Sequence, residues 1–252
     1  MTKRSAKRPA NRPVNRESKP VGAPDATPPL SRDFYATDAR TLARALLGRT
    51  LVRTLLDNAD QPLRLSATIV ETEAYLGIED RAAHTFAGRR TPRNEAMYAK
   101  PGTLYVYFTY GMHHCMNVVC GSEGEPTAVL LRAAIPRDGI EAMQKLRTRP
   151  GGRLMKTQDL CRGPGRLCQA LNITRSDNFA DLVGCASEVP PRVWIEEGSP
   201  VADPLVVNTP RIGVDYAGAW ARRKLRWAIK GSAWVSGSAS GPTKATGETI
   251  GG

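Results

Sequence analysis

Positions 104–109 alternate Leu104, Val106 and Phe108 with Tyr105, Tyr107 and Thr109, the two-residue period of a β-strand. The same reading predicts strands at 50–56, 65–71, 112–120, 128–135, 193–196 and 225–230. Asp57-Asn58-Ala59-Asp60 supplies the turn between the first two, and Tyr110-Gly111 a turn after the 104–109 strand. Helical periods are fewer. Thr37 or Asp38 caps a helix with Leu42, Ala45 and Leu46 on its apolar face and Gly48 as its stop. A second helix, 138–147, carries Ile140, Met143 and Leu146 or Arg147 along one side, and Gly163-Pro164 opens a third that runs through Leu171. Strands and helices mix without βαβ alternation. The prediction is an α+β single domain: a curved, largely antiparallel sheet flanked by helices, with a protruding β-hairpin.

Outside these periods the pattern is polar. Residues 1–30 hold Lys3, Arg4, Lys7, Arg8, Arg12, Arg16 and Lys19 among many prolines. They lack the apolar surface to offset ordering entropy, so a disordered basic arm is expected there. Residues 31–236 form the expected domain, and 237–252, rich in Gly, Ser and Thr, a flexible tail. The long Gly-containing stretch 77–102 carries Arg89, Arg90, Arg93 and Lys100, and loops of that length are usually functional.

Composition narrows the partner. The 252 residues carry a formal net charge of +12, which favours a polyanion. No apolar run reaches the ~20 residues of a membrane span, and no apolar stretch follows the basic N-terminus as in a secretory signal. Nucleic acid is therefore expected before membrane, and the cytoplasm is the expected compartment. The five cysteines, Cys115, Cys120, Cys161, Cys168 and Cys185, are odd in number and contain no C-x-x-C, unlike a disulfide framework. His113 and His114 lie near Cys115 and Cys120, but neighbours on a strand point to opposite faces and do not readily share one metal.

The densest chemistry is Glu71-Thr72-Glu73-Ala74-Tyr75. On a strand Glu71, Glu73 and Tyr75 share a face. A carboxylate at the edge of a partly buried pocket can act as general base, and Tyr75 beside it can offer a ring to a planar ligand. Taken alone, the segment equally describes two solvated carboxylates and a packed tyrosine. His84 is open to the same pair of readings, structural hydrogen-bonder or base-edge contact. Tyr105, Tyr107 and Tyr110 suit strand packing, yet Tyr110 at a hairpin tip also suits a wedge into a base stack.

ETEAYLGIEDRAAH, TPRNEAMYAKPGTLYVYFTYGMHHCMN, VLLRA, CRGPGRLCQALNI, RIGVDYAGAWARRKLRW and GSAWVS occur in this order over roughly residues 32–236. Together they resemble the alkyladenine (3-methyladenine) DNA glycosylase family. The resemblance implies that Glu73 is the general base that deprotonates the attacking water. Arg132 helps to hold that water, and the backbone carbonyl of Ile212 is a further water contact. It implies that Tyr75 and Tyr107 sandwich a flipped base, that His84 contacts its edge, and that Asn117 disfavours guanine. Tyr110 corresponds to the side chain that fills the gap left in the duplex, with Met112 and Cys115 near the DNA and the pocket. His113 and His114 depart from residues that are often aromatic in relatives.

The activity implied is that of a monofunctional hydrolase. It acts as a monomer on double-stranded DNA containing damaged purines, without metal or organic cofactor, and leaves an abasic site for base excision repair. A non-catalytic minor-groove binder would share the charge and the wedge but gives Glu73 no task. A nuclease would need a metal-holding carboxylate cluster, for which Glu71, Glu73, Glu79 and Asp80 are the candidates. An RNA-binding module would suit aromatic strands, but the expected RNP pattern is missing.

Overall fold

A computed structural model describes residues 27–109, 111–183 and 190–237. Eight strands form one antiparallel sheet: β1 (Thr50–Leu56), β2 (Pro62–Tyr75), β3 (Leu104–Thr109), β4 (His113–Cys120), β5 (Thr127–Pro136), β6 (Arg192–Glu196), β7 (Val206–Pro210) and β8 (Lys224–Ile229). The order along it is β3-β4-β5-β2-β1-β6, with β8 on β2 and β7 on β8. The short helices are α1 (Arg32–Tyr35), α2 (Ala39–Ala45), α3 (Ile140–Arg147) and α4 (Pro164–Ala170). Most of the alternation read from the sequence reappears at nearly the expected positions, in a curled antiparallel α+β fold.

Three differences matter. β2 does not stop at Glu71 but runs on to Tyr75, and β7 was not foreseen, because Val206–Pro210 is short and ends on a proline. In α2, Asp38 caps as expected, accepting from the amides of Arg40 and Thr41 (2.9 and 3.2 Å). Ala43, rather than the half-buried Ala45, joins Leu42 and Leu46 in the core. The stop at Gly48 holds: its φ is +84°, and a Cβ there would collide with the Ser199 carbonyl.

The core lies between the sheet and the helices, where Leu42, Leu46, Leu51, Ile69, Leu104, Val106, Met116, Leu131, Met143 and Leu167 are all buried. Each such side chain contributes about 1.5–3 kcal/mol by leaving water. Leu30 joins them, and its amide donates to the Ile195 carbonyl (2.9 Å).

β2 organises the rest. Its first half pairs β1 through Pro62–Thr68, its second half pairs β5 through Tyr75, and β8 takes the vacated edge opposite Glu71, Thr72 and Glu73. The pairing of β2 with β5 slips on either side of Glu71. Before the slip Leu65, Ala67 and Ile69 face the core; after it Thr72 binds the Ala43 carbonyl and Ala74 packs into the core. The alternation has changed phase. β5 changes phase in the same place, with Val129 and Leu131 in the core before it and Ala134 after it. Bulges re-aim side chains. This one turns Glu71, Glu73, Tyr75 and Arg132 away from the core and towards a common site.

The β3–β4 hairpin extends past its neighbour. β5 pairs only with Asn117–Cys120 of β4, so His113–Met116 has β3 alone as a strand partner. At the tip Gly111 has φ +66°, which a turn tolerates best in glycine. α4 backs the hairpin, with Gly165 against His113; a Cβ on that glycine would come within 3.1 Å of the imidazole.

Candidate active site

Glu71 and Glu73 are both 0 % exposed. Buried carboxylates require partners, and distant segments provide them. Glu71 Oε1 accepts from Arg132 Nε (2.8 Å), Arg226 Nε (2.7 Å) and Ser236 Oγ (2.9 Å); Oε2 accepts from the Ser236 amide (2.6 Å). Arg132 spans the two acids, since its Nη1 lies 3.1 Å from Glu73 Oε1 and its Nη2 donates to Ser236 Oγ (3.1 Å). Arg226 ties down the Ser236 segment by donating from Nη2 to the Ser236 carbonyl (2.7 Å). Two carboxylates and two guanidiniums balance in charge, and both residues of the ETE pair are the reverse of solvated.

Glu73 also accepts from the Ile212 amide at Oε1 (2.8 Å) and from the Tyr75 hydroxyl at Oε2 (3.0 Å). Burial and the charge of Glu73 push the Tyr75 phenol well above its usual value, so it keeps its proton and donates. A carboxylate offers about four lone-pair sites. Ile212 and Tyr75 occupy two, the Arg132 guanidinium lies beside Oε1 as an ion pair, and acceptor capacity remains for a water. Ile212 thus meets Glu73 through its N–H.

Beside Glu73 lies a cavity of about 20 Å³ lined by Tyr75, Ala82, His84, Met97, Tyr105, Tyr107 and Asn117. Four of these are the base-binding residues expected from the sequence, and the structure brings all four together. The space suits about one water molecule. His84 meets the Tyr107 ring edge-on at 4.6 Å, and its Nδ1 lies 2.8 Å from the Tyr105 hydroxyl. Tyr105 and Tyr107 stack at 5.5 Å. Burial, then the charges of Arg93 and Arg89, lower the His84 pKa to about 4, so the ring is neutral at pH 7 and has one donor and one acceptor nitrogen. Asn117 Nδ2 donates to the Tyr105 carbonyl (3.4 Å). Cys115 is buried behind Tyr107, its thiol held protonated by that burial.

Two basic clefts flank this centre. One, of about 460 Å³, runs past Arg132, Arg162, Arg166, Ile212 and Ser236. The other, of about 290 Å³, gathers Arg81, Arg89 and Arg93 around His84. Met112, 69 % exposed, and the half-exposed Phe108 mark the hairpin as an apolar projection between polar surfaces. Tyr110, the expected wedge, lies outside the described residues, as do most of the basic arm (1–26), Cys185 and the tail from 238. Among the described residues no group of three or more His, Cys, Asp or Glu is placed to hold a metal ion. Among the described residues, too, no helix is long and apolar enough to cross a membrane.

Similarity to known proteins decides the family. Methylpurine-DNA glycosylase (MPG) is the family whose pattern matches residues 33–233. The chain belongs to the methylpurine-DNA glycosylase family. Human DNA-3-methyladenine glycosylase is 48 % identical over 212 residues, covering 82 % of this chain and 67 % of that protein. Its mouse counterpart is 46 % identical over 218 residues, covering 84 % and 62 %. A putative 3-methyladenine DNA glycosylase of Anaeromyxobacter dehalogenans strain 2CP-1 is 49 % identical over 208 residues, covering 82 % and 85 %. The chain thus spans about two thirds of the mammalian relatives and most of the bacterial one. As a methylpurine-DNA glycosylase it belongs among the hydrolytic glycosylases of DNA repair, whose substrate is DNA.

Several residues of this candidate site do not follow individually from the sequence. Asn94, buried in the 77–102 stretch, donates from Nδ2 to the carbonyls of His84 (3.0 Å) and Arg89 (2.9 Å) and so fixes the loop that presents His84. Arg226 and Ser236 sit in quoted motifs, but nothing local tells that they meet Glu71. Asp80 and Arg211 form a fully buried pair beneath Tyr75.

Proposed function

We propose that this chain is a monofunctional glycosylase. It extrudes an alkylated or deaminated purine from duplex DNA and hydrolyses its N-glycosidic bond with water activated by Glu73. The observation that carries the reading is Glu73 itself: a fully buried carboxylate with two hydrogen-bond donors, a guanidinium paired with it and acceptor capacity left over, beside a pocket of aromatic rings. A duplex buries the glycosidic bond, so the base must leave the stack first. The basic clefts bind phosphates, a sequence-independent and salt-sensitive contribution. The β3–β4 hairpin fills the gap, with Tyr110 as the side chain that the family resemblance assigns to it. Tyr75 and Tyr107 part to take the base between them, because a 20 Å³ space holds no purine. His84 contacts its edge, and Asn117 selects against guanine's exocyclic amine.

As the bond weakens, the sugar gains oxocarbenium character. Glu73 takes a proton from the water, whose oxygen bonds to the anomeric carbon while the bonding pair leaves with the base. Arg132 holds Glu73 in place, and Ile212 and Tyr75 orient its two oxygens. The protein acts as a monomer, and no lysine is assigned to a Schiff base, so the product is an abasic site on an uncut strand.

The test is product analysis in EDTA on duplexes carrying hypoxanthine, ethenoadenine or methylated purines. Free base with strand breaks appearing only after alkali is the expected result. Magnesium-dependent cleavage, or DNA binding without release from any lesion, contradicts the proposal.

A further inference from the structure

Arg211 lies under the ring of Tyr75, its guanidinium carbon 4.7 Å from the ring centroid. Its setting is fixed. Nη1 donates to the Ala74 carbonyl (2.9 Å) and to Asp80 Oδ2 (2.5 Å), and Nη2 donates to Asp80 Oδ1 (2.8 Å). Both side chains of the pair are 0 % exposed. Asp80 is held in turn by the amides of Leu76 (3.1 Å) and Ala82 (3.0 Å). Arg211 Nε is buried with no hydrogen-bond partner, so part of this cation is answered only by the ring. A guanidinium at this distance leaves no room for a base on the same face. Any base stacked on Tyr75 uses the opposite one.

We propose that Arg211 sets the balance between cationic and neutral purines, acting through the Tyr75 ring. The inference rests on the glycosylase reading. A ring attracts a cation through its negative face. Two cations on opposite faces draw on the same π density and repel each other across it. An N-alkylated, positively charged purine therefore gains less from Tyr75 than it would from an isolated tyrosine. A neutral purine stacks mainly by dispersion and loses little. Asp80 cancels part of the charge, but it pairs with the two Nη atoms at the edge of the guanidinium and leaves Nε, buried and unbonded, to the ring. Arg211 thus levels the site between the two classes. Cationic purines, already good leaving groups, give up some stacking, and neutral ones, which need the pocket more, are not outcompeted. Arg211 touches no substrate on this account; it is a positioning residue.

The test compares single-turnover release from a 7-methylguanine duplex and a hypoxanthine duplex by the full chain. Arg211→Met/Asp80→Asn removes both charges, and Arg211→Lys keeps the cation. The double variant is expected to raise the cationic-to-neutral rate ratio by about three- to tenfold, with Arg211→Lys within about twofold of wild type. If the double variant does not fold, Arg211→Gln/Asp80→Asn, which also removes both charges but keeps a hydrogen-bonded polar pair, reads the same ratio. Equal loss of both rates would mean a merely structural role and overturn the proposal. A ratio that rises as much in Arg211→Lys overturns it as well, since packing rather than charge would then be responsible. Wild type releasing neither base would instead refute the glycosylase reading, which separates the two failures.

Discussion

The two halves of the site meet at Tyr75 and are built on different principles. On one side Glu71, Glu73, Arg132, Arg226 and Ser236 share a closed set of charge-assisted bonds, most of them between 2.6 and 3.1 Å. On the other, His84, Tyr105 and Tyr107 meet largely through ring edges and faces, and with Tyr75 they line a space for one water. Charge networks in a low-dielectric interior have one good geometry, because any member left alone is costly. Aromatic contacts are individually worth about 0.5–1.5 kcal/mol and can be exchanged for contacts with another planar ring. On the proposed function, the acid side is preorganised for chemistry and the aromatic side yields to a ligand.

Breaking the rigid half should have the largest effect. Arg132→Met leaves two buried carboxylates with only neutral donors and Arg226, and is expected to cost about 3–5 kcal/mol of stability, read by urea unfolding. An unchanged midpoint would mean that the network is looser than its geometry. Asn94→Ala, on the soft side, leaves the His84 and Arg89 carbonyls without their donor and should cost about 1–3 kcal/mol. Base release should suffer in that variant even where the fold survives, since the His84 loop is no longer held.

His84 gives a subtler contrast. Its folded pKa of about 4 lies below the ordinary 6.5, so between these values the unfolded chain takes up a proton that the folded one refuses. The corresponding stability is present above about pH 6.5 and is lost progressively as pH falls towards 4. His84→Gln should flatten the decline in thermal midpoint over that window; a decline as steep as wild type would mean that His84 titrates normally. The smallest effect is expected from deleting residues 1–26. That removes Lys3, Arg4, Lys7, Arg8, Arg12, Arg16 and Lys19, and should weaken binding to undamaged DNA and flatten its salt dependence while leaving single-turnover release unchanged.

How far the sequence could be read follows the same division. β1 and the β3–β4 hairpin follow from alternation and turn residues, which are local. The Glu71–Glu73–Tyr75 face follows from strand period together with the family resemblance. The burial of that face does not, because its partners come from far along the chain: Arg132 lies 61 residues from Glu71, and Arg226 lies 155 away. The change of phase at Glu71 was equally hidden. Simple alternation from Leu65 would have sent Glu71 and Glu73 into the core with Ile69, and only pairing with β5 and β8 reveals the slip. The Arg211–Asp80 pair, 131 residues apart, leaves no local trace at all.

The most direct test is Glu73→Gln, which keeps size and most hydrogen bonds but removes the base. Affinity for a hypoxanthine duplex and single-turnover release of the base should be measured together. Binding within a few-fold of wild type, with release slowed by about 10²–10⁴-fold, is the result expected of a general base. Release at the wild-type rate with binding intact would contradict the account, because the buried carboxylate would then have no part in the chemistry.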